Sequence, residues 1–213
     1  MVNFILGRAN SDKSGKINEI VLEKVKNGNK IIIVVPEQMS FEKEKFMLDF
    51  LGNKDFSKIK VLSFSRMVDF VSGILKIPKP NVKSDVSQII MVSQAIEKSK
   101  SSLEMYKKSY ADINLAELIL ETIHEFKANK INKESLKRIY DNCKEGILKQ
   151  KIKEIISIYE AYEEIINEAF SDLMDNLNVL EDMISSSHVF KNYTFFFDGF
   201  SNFTAQQFSI IKE

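Results

Sequence analysis

One cysteine in 213 residues leaves no disulfide framework and no cysteine-based metal site to be completed within this chain. Cys143 reads as a small core or boundary residue. The two histidines, His124 and His188, are too few and too far apart to suggest a ligand pair. Net charge is missing as well. Thirty basic residues balance thirty acidic ones, which excludes a global electrostatic funnel for nucleic acid and confines any DNA contact to a local patch. Apolar runs such as residues 31–35 are far too short to span a bilayer, and Met1 is followed by neither a basic segment nor a long apolar one. A cytoplasmic protein with no membrane association is expected.

The rest is an ordinary globular balance, 44% hydrophobic and 28% charged, at a length that buries one core or one core with a satellite. Residues 3–6 read as a short strand ending at Gly7, and Ile17, Ile20, Val21 and Val25 follow at helical spacing. The β-branched run 31–35 stops at Pro36, as a central parallel strand buried on both faces would. A helix opens at Ser40 and closes near Gly52, residues 59–64 form a third strand, and a helix carrying Met67, Val68, Val71 and Leu75 ends at Pro78-Lys79-Pro80.

From 84 to 187 strand signals vanish and Gly146 is the only glycine, so this block is helical. Leu115, Leu118, Ile119, Thr122, Ile123 and Phe126 share one helical face; Leu148, Ile152, Ile155, Ile156, Tyr159, Tyr162, Ile166, Ala169 and Phe170 share another. Residues 194–197 then form a strand delivering Asp198, and Thr204 with Gln207 makes a capping box for a last helix. The chain stops at Glu213 within or at the end of that helix, so a truncated α/β domain is expected. Residues 1–83 and 188–213 would form it, with 84–187 as an insertion.

Gly7, Arg8, Ala9, Asn10, Ser11, Asp12, Lys13 and Ser14 stand between a predicted strand and a helix, where a phosphate-cradling loop belongs. In an intact G-x-x-x-x-G-K-[ST] loop, backbone N–H groups wrap the phosphates, the lysine reaches the outer oxygens and the hydroxyl holds magnesium. Lys13 and Ser14 retain those groups. Asp12 replaces the second glycine; its Cβ disfavours the required backbone and its carboxylate repels polyphosphate. Asp12 could instead pair with Lys13 or cap the helix. Asp198 ends its strand where P-loop ATPases place a magnesium-associated aspartate, but Gly199 stands where a water-activating glutamate would follow. Poor hydrolysis is expected even with ATP and magnesium bound. The other reading is an aspartate before a tight glycine turn.

Four blocks resemble the N-terminal region of the AddB family, which is superfamily 1 helicase-like: Ile5-Leu6-Gly7-Arg8-Ala9 through Lys13-Ser14, Val34-Val35-Pro36-Glu37-Gln38-Met39-Ser40-Phe41, Val61-Leu62-Ser63-Phe64-Ser65-Arg66, and Asp198-Gly199-Phe200 with Phe203-Thr204 and Gln206-Gln207. The resemblance implies a P-loop NTPase-like (RecA-like) α/β fold, a parallel sheet with helices on both faces and a large all-helical insertion. It also implies a subunit that pairs with an AddA-type helicase/nuclease to process broken DNA ends for recombination. In the family the helicase-like region contacts single-stranded DNA. The family's nuclease domain and iron-sulfur cluster lie outside this chain. Ser63, Phe64, Ser65 and Arg66 become candidates for strand contact, Phe64 by stacking or else as a core residue, and Arg66 through a phosphate.

The helical block divides by charge. Residues 127–153 carry nine Lys or Arg, and residues 154–187 carry nine acids and no base. Neutralisation across a helical hairpin is the favoured reading, with a phosphate-contacting basic patch as the other. Three functional classes follow. One is a non-motor, DNA-binding scaffold. Another is a working P-loop ATPase or kinase using Lys13, Ser14 and Asp198 on Mg-ATP, and the third is a structural partner-docking module.

Overall fold

The computed structural model describes residues 2–8, 10–78, 84–167 and 173–213, without the side chains of 167 and 173–175. Lys79, Pro80 and Lys83 at the expected boundary, and Ala169 and Phe170 on the expected helical face, lie outside the described residues. Two compact units form. One comprises the described residues within Met1–Lys79 and Leu180–Phe203, with Glu213; the other comprises those within Pro80–Val179 and Thr204–Lys212.

In the first unit α1 (Lys13–Lys26) precedes β1 (Lys30–Val34), and a 3-10 turn (Glu37–Met39) leads into α2 (Ser40–Phe56). Then come β2 (Ile59–Leu62), α3 (Phe64–Leu75) and, after the helical block, β3 (Tyr193–Phe197). All pairings are parallel and the strand order is β2-β1-β3. β1 is buried along residues 31–34, consistent with its unbroken Ile/Val run, and each such side chain contributes roughly 1.5–3 kcal/mol of apolar burial. Pairing of Ile31 with Ile59 and Thr194 aligns the pleats. One face, Ile31, Ile33, Ile59, Val61 and Phe196, packs on Ile17, Val21 and Val25 of α1 and Met47 of α2. On the other face Phe197 and Tyr193 meet Phe64 and Phe70 of α3 at 6.3 and 6.2 Å between ring centroids. Helices therefore cover both faces.

Two local expectations of this unit change and one holds. Residues 3–6 form no strand: Ile5 reaches the core, while Val2, Phe4 and Leu6 project into solvent, Leu6 at 89% exposure. The two-residue alternation is present without a ladder, and it is the ladder that makes a strand. The helix opened at Ser40 does close at Gly52, whose φ +73° and ψ 163° are non-helical, and a short further helical stretch within the same span runs on to Phe56. The strand expected to reach Phe64 ends at Leu62, because the Ser63 hydroxyl accepts from the Arg66 N–H and starts α3.

The second unit contains α4 (Asp85–Ser99), α5 (Ile113–Ala128), α6 (Lys133–Asn142), α7 (Ile147–Asn167) and α9 (Ala205–Lys212); the division between units falls within α8 (Leu173–Ser186). Ser84, Asp112 and Asn132 cap α4, α5 and α6. Val92 and Ile96, Ile119 and Ile123, Leu136, and Ile158 and Tyr162 supply the core from α4, α5, α6 and α7 in turn. On α5 the buried stripe uses Ala116 and Leu120, leaving the expected Leu118 exposed. On α7 Leu148 is exposed as well. Thr204 and Gln207 do form the capping box, with the Thr204 N–H donating to Gln207 Oε1 (3.1 Å) and the Gln207 N–H to Thr204 Oγ1 (3.2 Å).

Buried at the centre of α7, Glu154 is an intra-unit clamp. Its Oε1 accepts from the Glu104 and Met105 N–H groups (both 2.9 Å) and from the Gln150 amide (2.8 Å), while Oε2 accepts from the Tyr106 N–H (3.1 Å). Burial pushes this carboxyl up, but the Met105, Gln150, Glu104 and Tyr106 donors outweigh it and hold it below its ordinary value of 4.5. The basic and acidic segments pair across helices: Lys127 with Glu163 at 2.8 Å and Lys137 with Glu160 at 3.1 Å, joined by Lys98 with Glu164 at 2.7 Å.

Candidate functional site

β1 turns toward β2 through α2, and the chain then crosses to the opposite side of β1 to lay down β3. Such a reversal opens a crevice at the carboxyl ends of the strands, where α/β proteins place their ligands. Four segments converge there, and polar side chains from three of them join into one network.

Ser14, in the first turn of α1, donates to Asp198 Oδ1 at 2.8 Å, so residues 184 apart in sequence meet. Asp198 continues the β3 ladder, its N–H donating to the Val34 carbonyl at 3.0 Å. Its second oxygen, Oδ2, takes the ammonium of Lys43 at 2.8 Å, and the same ammonium donates to Asn18 Oδ1 at 2.9 Å. Lys43 and Asp198 are 9% and 7% exposed. Removing either partner of a pair this buried leaves an uncompensated charge, whereas the intact pair with its further hydrogen bonds is satisfied.

The loop before α1 is closed on itself. The Arg8 carbonyl accepts from the Ser11 N–H (3.1 Å), the Ser11 hydroxyl (2.8 Å) and the Lys13 ammonium (3.4 Å). Asn10 takes φ +64°, which asparagine tolerates. Ala9 lies outside the described residues. Of the alternatives for Asp12, capping is the one adopted: its Oδ1 accepts from the Gly15 N–H at 2.7 Å, placing a carboxylate at the amino end of α1. A Cβ on Gly7 would lie 2.1 Å from Ser11 Oγ, so a larger residue at the loop's first position would have to turn the Ser11 hydroxyl away from the Arg8 carbonyl.

Gly199 follows Asp198 at φ +79°, and a Cβ there would lie 2.8 Å from Met39 Sδ and 3.1 Å from Met39 Cε. The positive φ opposes a side chain at this position, and the Met39 thioether would have to shift to admit one.

Of the residues after β2, Ser63 and Phe64 are buried. Phe64 is 4% exposed and its ring meets Phe197, Phe200 and Phe203, so it is the core residue of the two readings. Ser65 and Arg66 are at the surface. The Ser65 hydroxyl donates to Glu37, and Arg66 approaches Glu44 at 3.5 Å in an exposed pair. Glu37 and Ser65 thereby join the loops after β1 and β2. The sequence reading missed Lys43, Asn18 and Glu37. For Lys43 a signal existed: Ser40, Lys43 and Met47, spaced by three and four, are the buried positions of α2. Among the described residues no group of three or more His, Cys, Asp or Glu is arranged to hold a metal, and no helix is long and apolar enough to cross a membrane.

A family model described as "ADDB, N-terminal" matches residues 4–213. Proteins named as the B-type component of an ATP-dependent helicase/deoxyribonuclease are similar over 100% of this chain, with 34% identity over 218 residues in Clostridium kluyveri, 31% over 218 in Clostridium acetobutylicum and 28% over 215 in Thermoanaerobacter sp. strain X514. Each match covers 19% of the relative, so the chain spans about a fifth of their length. With the match running from residue 4 to the last residue, and with identity above 30% in two of these relatives, the chain belongs to the AddB family, as its N-terminal domain.

Proposed function

We propose that this chain is the non-motor, P-loop-derived domain of an AddB-type subunit, a scaffold that holds single-stranded DNA beside an AddA-type helicase/nuclease during processing of broken ends. Gly199 carries the reading. ATP-driven translocation needs a group to orient and deprotonate water beside the magnesium-associated aspartate. Here that position has no side chain, and its φ of +79° disfavours one. The hydrogen bond between Ser14 and Asp198 supports descent from a P-loop, because it joins the hydroxyl of the loop to the acid at the strand end.

DNA is assigned to the carboxyl ends of the strands rather than to the helical unit, whose Lys127 and Lys137 pair with acids of α7. Arg66 is the contact residue on this reading. Its exposed pair with Glu44 is worth no more than about 1 kcal/mol and is readily exchanged for a phosphate. Fluorescence anisotropy with single-stranded DNA over a salt series tests this. The expected result is affinity that falls steeply with salt, with Arg66→Ala binding more weakly and showing a shallower salt slope. Binding that ignores salt and Arg66, or no binding, would leave a partner-docking module in its place.

A further inference from the structure

The AddB resemblance implies magnesium and ATP at the site described above, and the side chains present do not fit them. A divalent ion in a P-loop site stands between the loop hydroxyl and the strand-end carboxylate. In this chain those groups are Ser14 and Asp198. Ser14 gives its hydrogen directly to Oδ1, and Oδ2 is taken by the ammonium of Lys43, which is further held by Asn18 Oδ1. A positive charge thus already sits on Asp198, delivered from α2 and almost excluded from water. On the anion side, the Asp12 carboxylate accepts the Gly15 N–H, a donor of the kind an anion at a helix start would take.

We propose that Lys43 is a tethered cation standing in place of the divalent ion, so that this domain closes its polar centre with its own side chains and takes no magnesium there. An ammonium on a four-carbon stem supplies one charge and three donors, enough to satisfy Asp198 and Asn18 but not to coordinate a phosphate and a hydroxyl as an oxygen-ligated ion does. The junction of α1, α2 and β3 is then held independently of nucleotide, and the domain keeps one shape while a motor elsewhere in the complex cycles. This inference rests on reading Ser14 and Asp198 as remnants of a P-loop site; the DNA-affinity test of the scaffold reading turns on Arg66 and not on Lys43, so the two can fail separately.

The test is competition between Lys43 and a divalent ion in the full 213-residue chain, read by Mn2+ electron paramagnetic resonance and by thermal unfolding in MgCl2 against NaCl of equal ionic strength. Wild type is expected to show no saturable Mn2+ binding and no magnesium-specific change in Tm. Lys43→Met is expected to lose about 6–20 °C in Tm, because Asp198 is left buried and unpaired. It should also acquire a weak site, on the order of 0.1–1 mM, since few protein oxygens are available. Magnesium at ten times that Kd should then restore about 3–6 °C. Lys43→Met/Asp198→Asn should show neither response. Should Lys43→Met not fold, Lys43→Gln keeps a donor to Asp198 without the charge, and the same gain of Mn2+ affinity is expected. Saturable Mn2+ binding by wild type that Asp198→Asn abolishes would overturn the proposal. So would a Lys43→Met or Lys43→Gln protein with no more affinity for Mn2+ than wild type.

Discussion

Replacing Glu154 by glutamine isolates the charge of one buried carboxylate while preserving its shape. Three of its four hydrogen bonds fall on Oε1 and the fourth, from the Tyr106 N–H, on Oε2. A glutamine that keeps its oxygen at the Oε1 position retains the first three at neutral strength, roughly half that of charge-assisted bonds, and turns an amide N–H toward the Tyr106 donor. Losing about 1 kcal/mol from each weakened bond and about 1 kcal/mol from the broken one, with a discount because they share one acceptor group, gives about 2–4 kcal/mol. That is a Tm decrease of roughly 4–16 °C for a chain of this length. Urea unfolding at neutral pH should show the lower midpoint at unchanged slope.

The pH dependence provides an internal control. The folded carboxyl lies below its ordinary 4.5, so its contribution is fully present above that value and is lost as pH falls through the folded value. The gap between wild type and Glu154→Gln should therefore be constant from neutral pH down to about 5 and narrow in stronger acid. A variant within about 0.5 kcal/mol of wild type at neutral pH, or a gap unchanged into strong acid, would refute the clamp.

Gly199→Ala should destabilise by about 1–3 kcal/mol, from the positive φ and the approach of Met39, and Met39→Ala added to it should recover only the steric part, as a double-mutant cycle would measure. Lys127→Met should cost about 1–3 kcal/mol in urea unfolding, less than a fully buried pair because Glu163 is part-exposed. Asp12→Ala should cost about 1 kcal/mol through loss of the α1 cap, and Asp12→Asn, which keeps an acceptor oxygen, should cost less.

What the sequence disclosed were features set by local chemistry. The β-branched run of β1, most of the helical faces of α5 and α7, and the Thr204 capping box each depend on residues within a few positions of one another, and each forms, with Leu118 and Leu148 left exposed. Features that depend on distant partners were not legible. Residues 3–6 have strand composition yet make no ladder, because pairing requires a neighbour that local pattern does not specify. Phe64 reads as the end of a strand in the run 59–64, and the start of α3 there rests on the Ser63 cap. Lys43 looks like one lysine of an alternating charged helix, and its partner Asp198 is 155 residues away. The charge asymmetry between 127–153 and 154–187 was visible, and its pairing in space is what the Lys127 and Lys137 bridges supply.

On the proposed P-loop ancestry, the site would combine inherited geometry with replaced chemistry. Ser14 and Asp198 meet as loop and strand end, while Asp12, Lys43 and Gly199 occupy the positions from which an anion, a cation and a catalytic base would act. Under the proposed scaffold function, such a domain would hold a fixed surface for DNA and a partner while the chemical work is performed elsewhere.

Steady-state ATP hydrolysis by this chain, with magnesium and saturating single-stranded DNA and with Lys13→Ala as the control, tests that account most directly. Turnover no greater than in the Lys13→Ala protein is the predicted result. DNA-stimulated hydrolysis that Lys13→Ala abolishes would contradict it, since a catalytic group would then be acting although Gly199 supplies no side chain after Asp198.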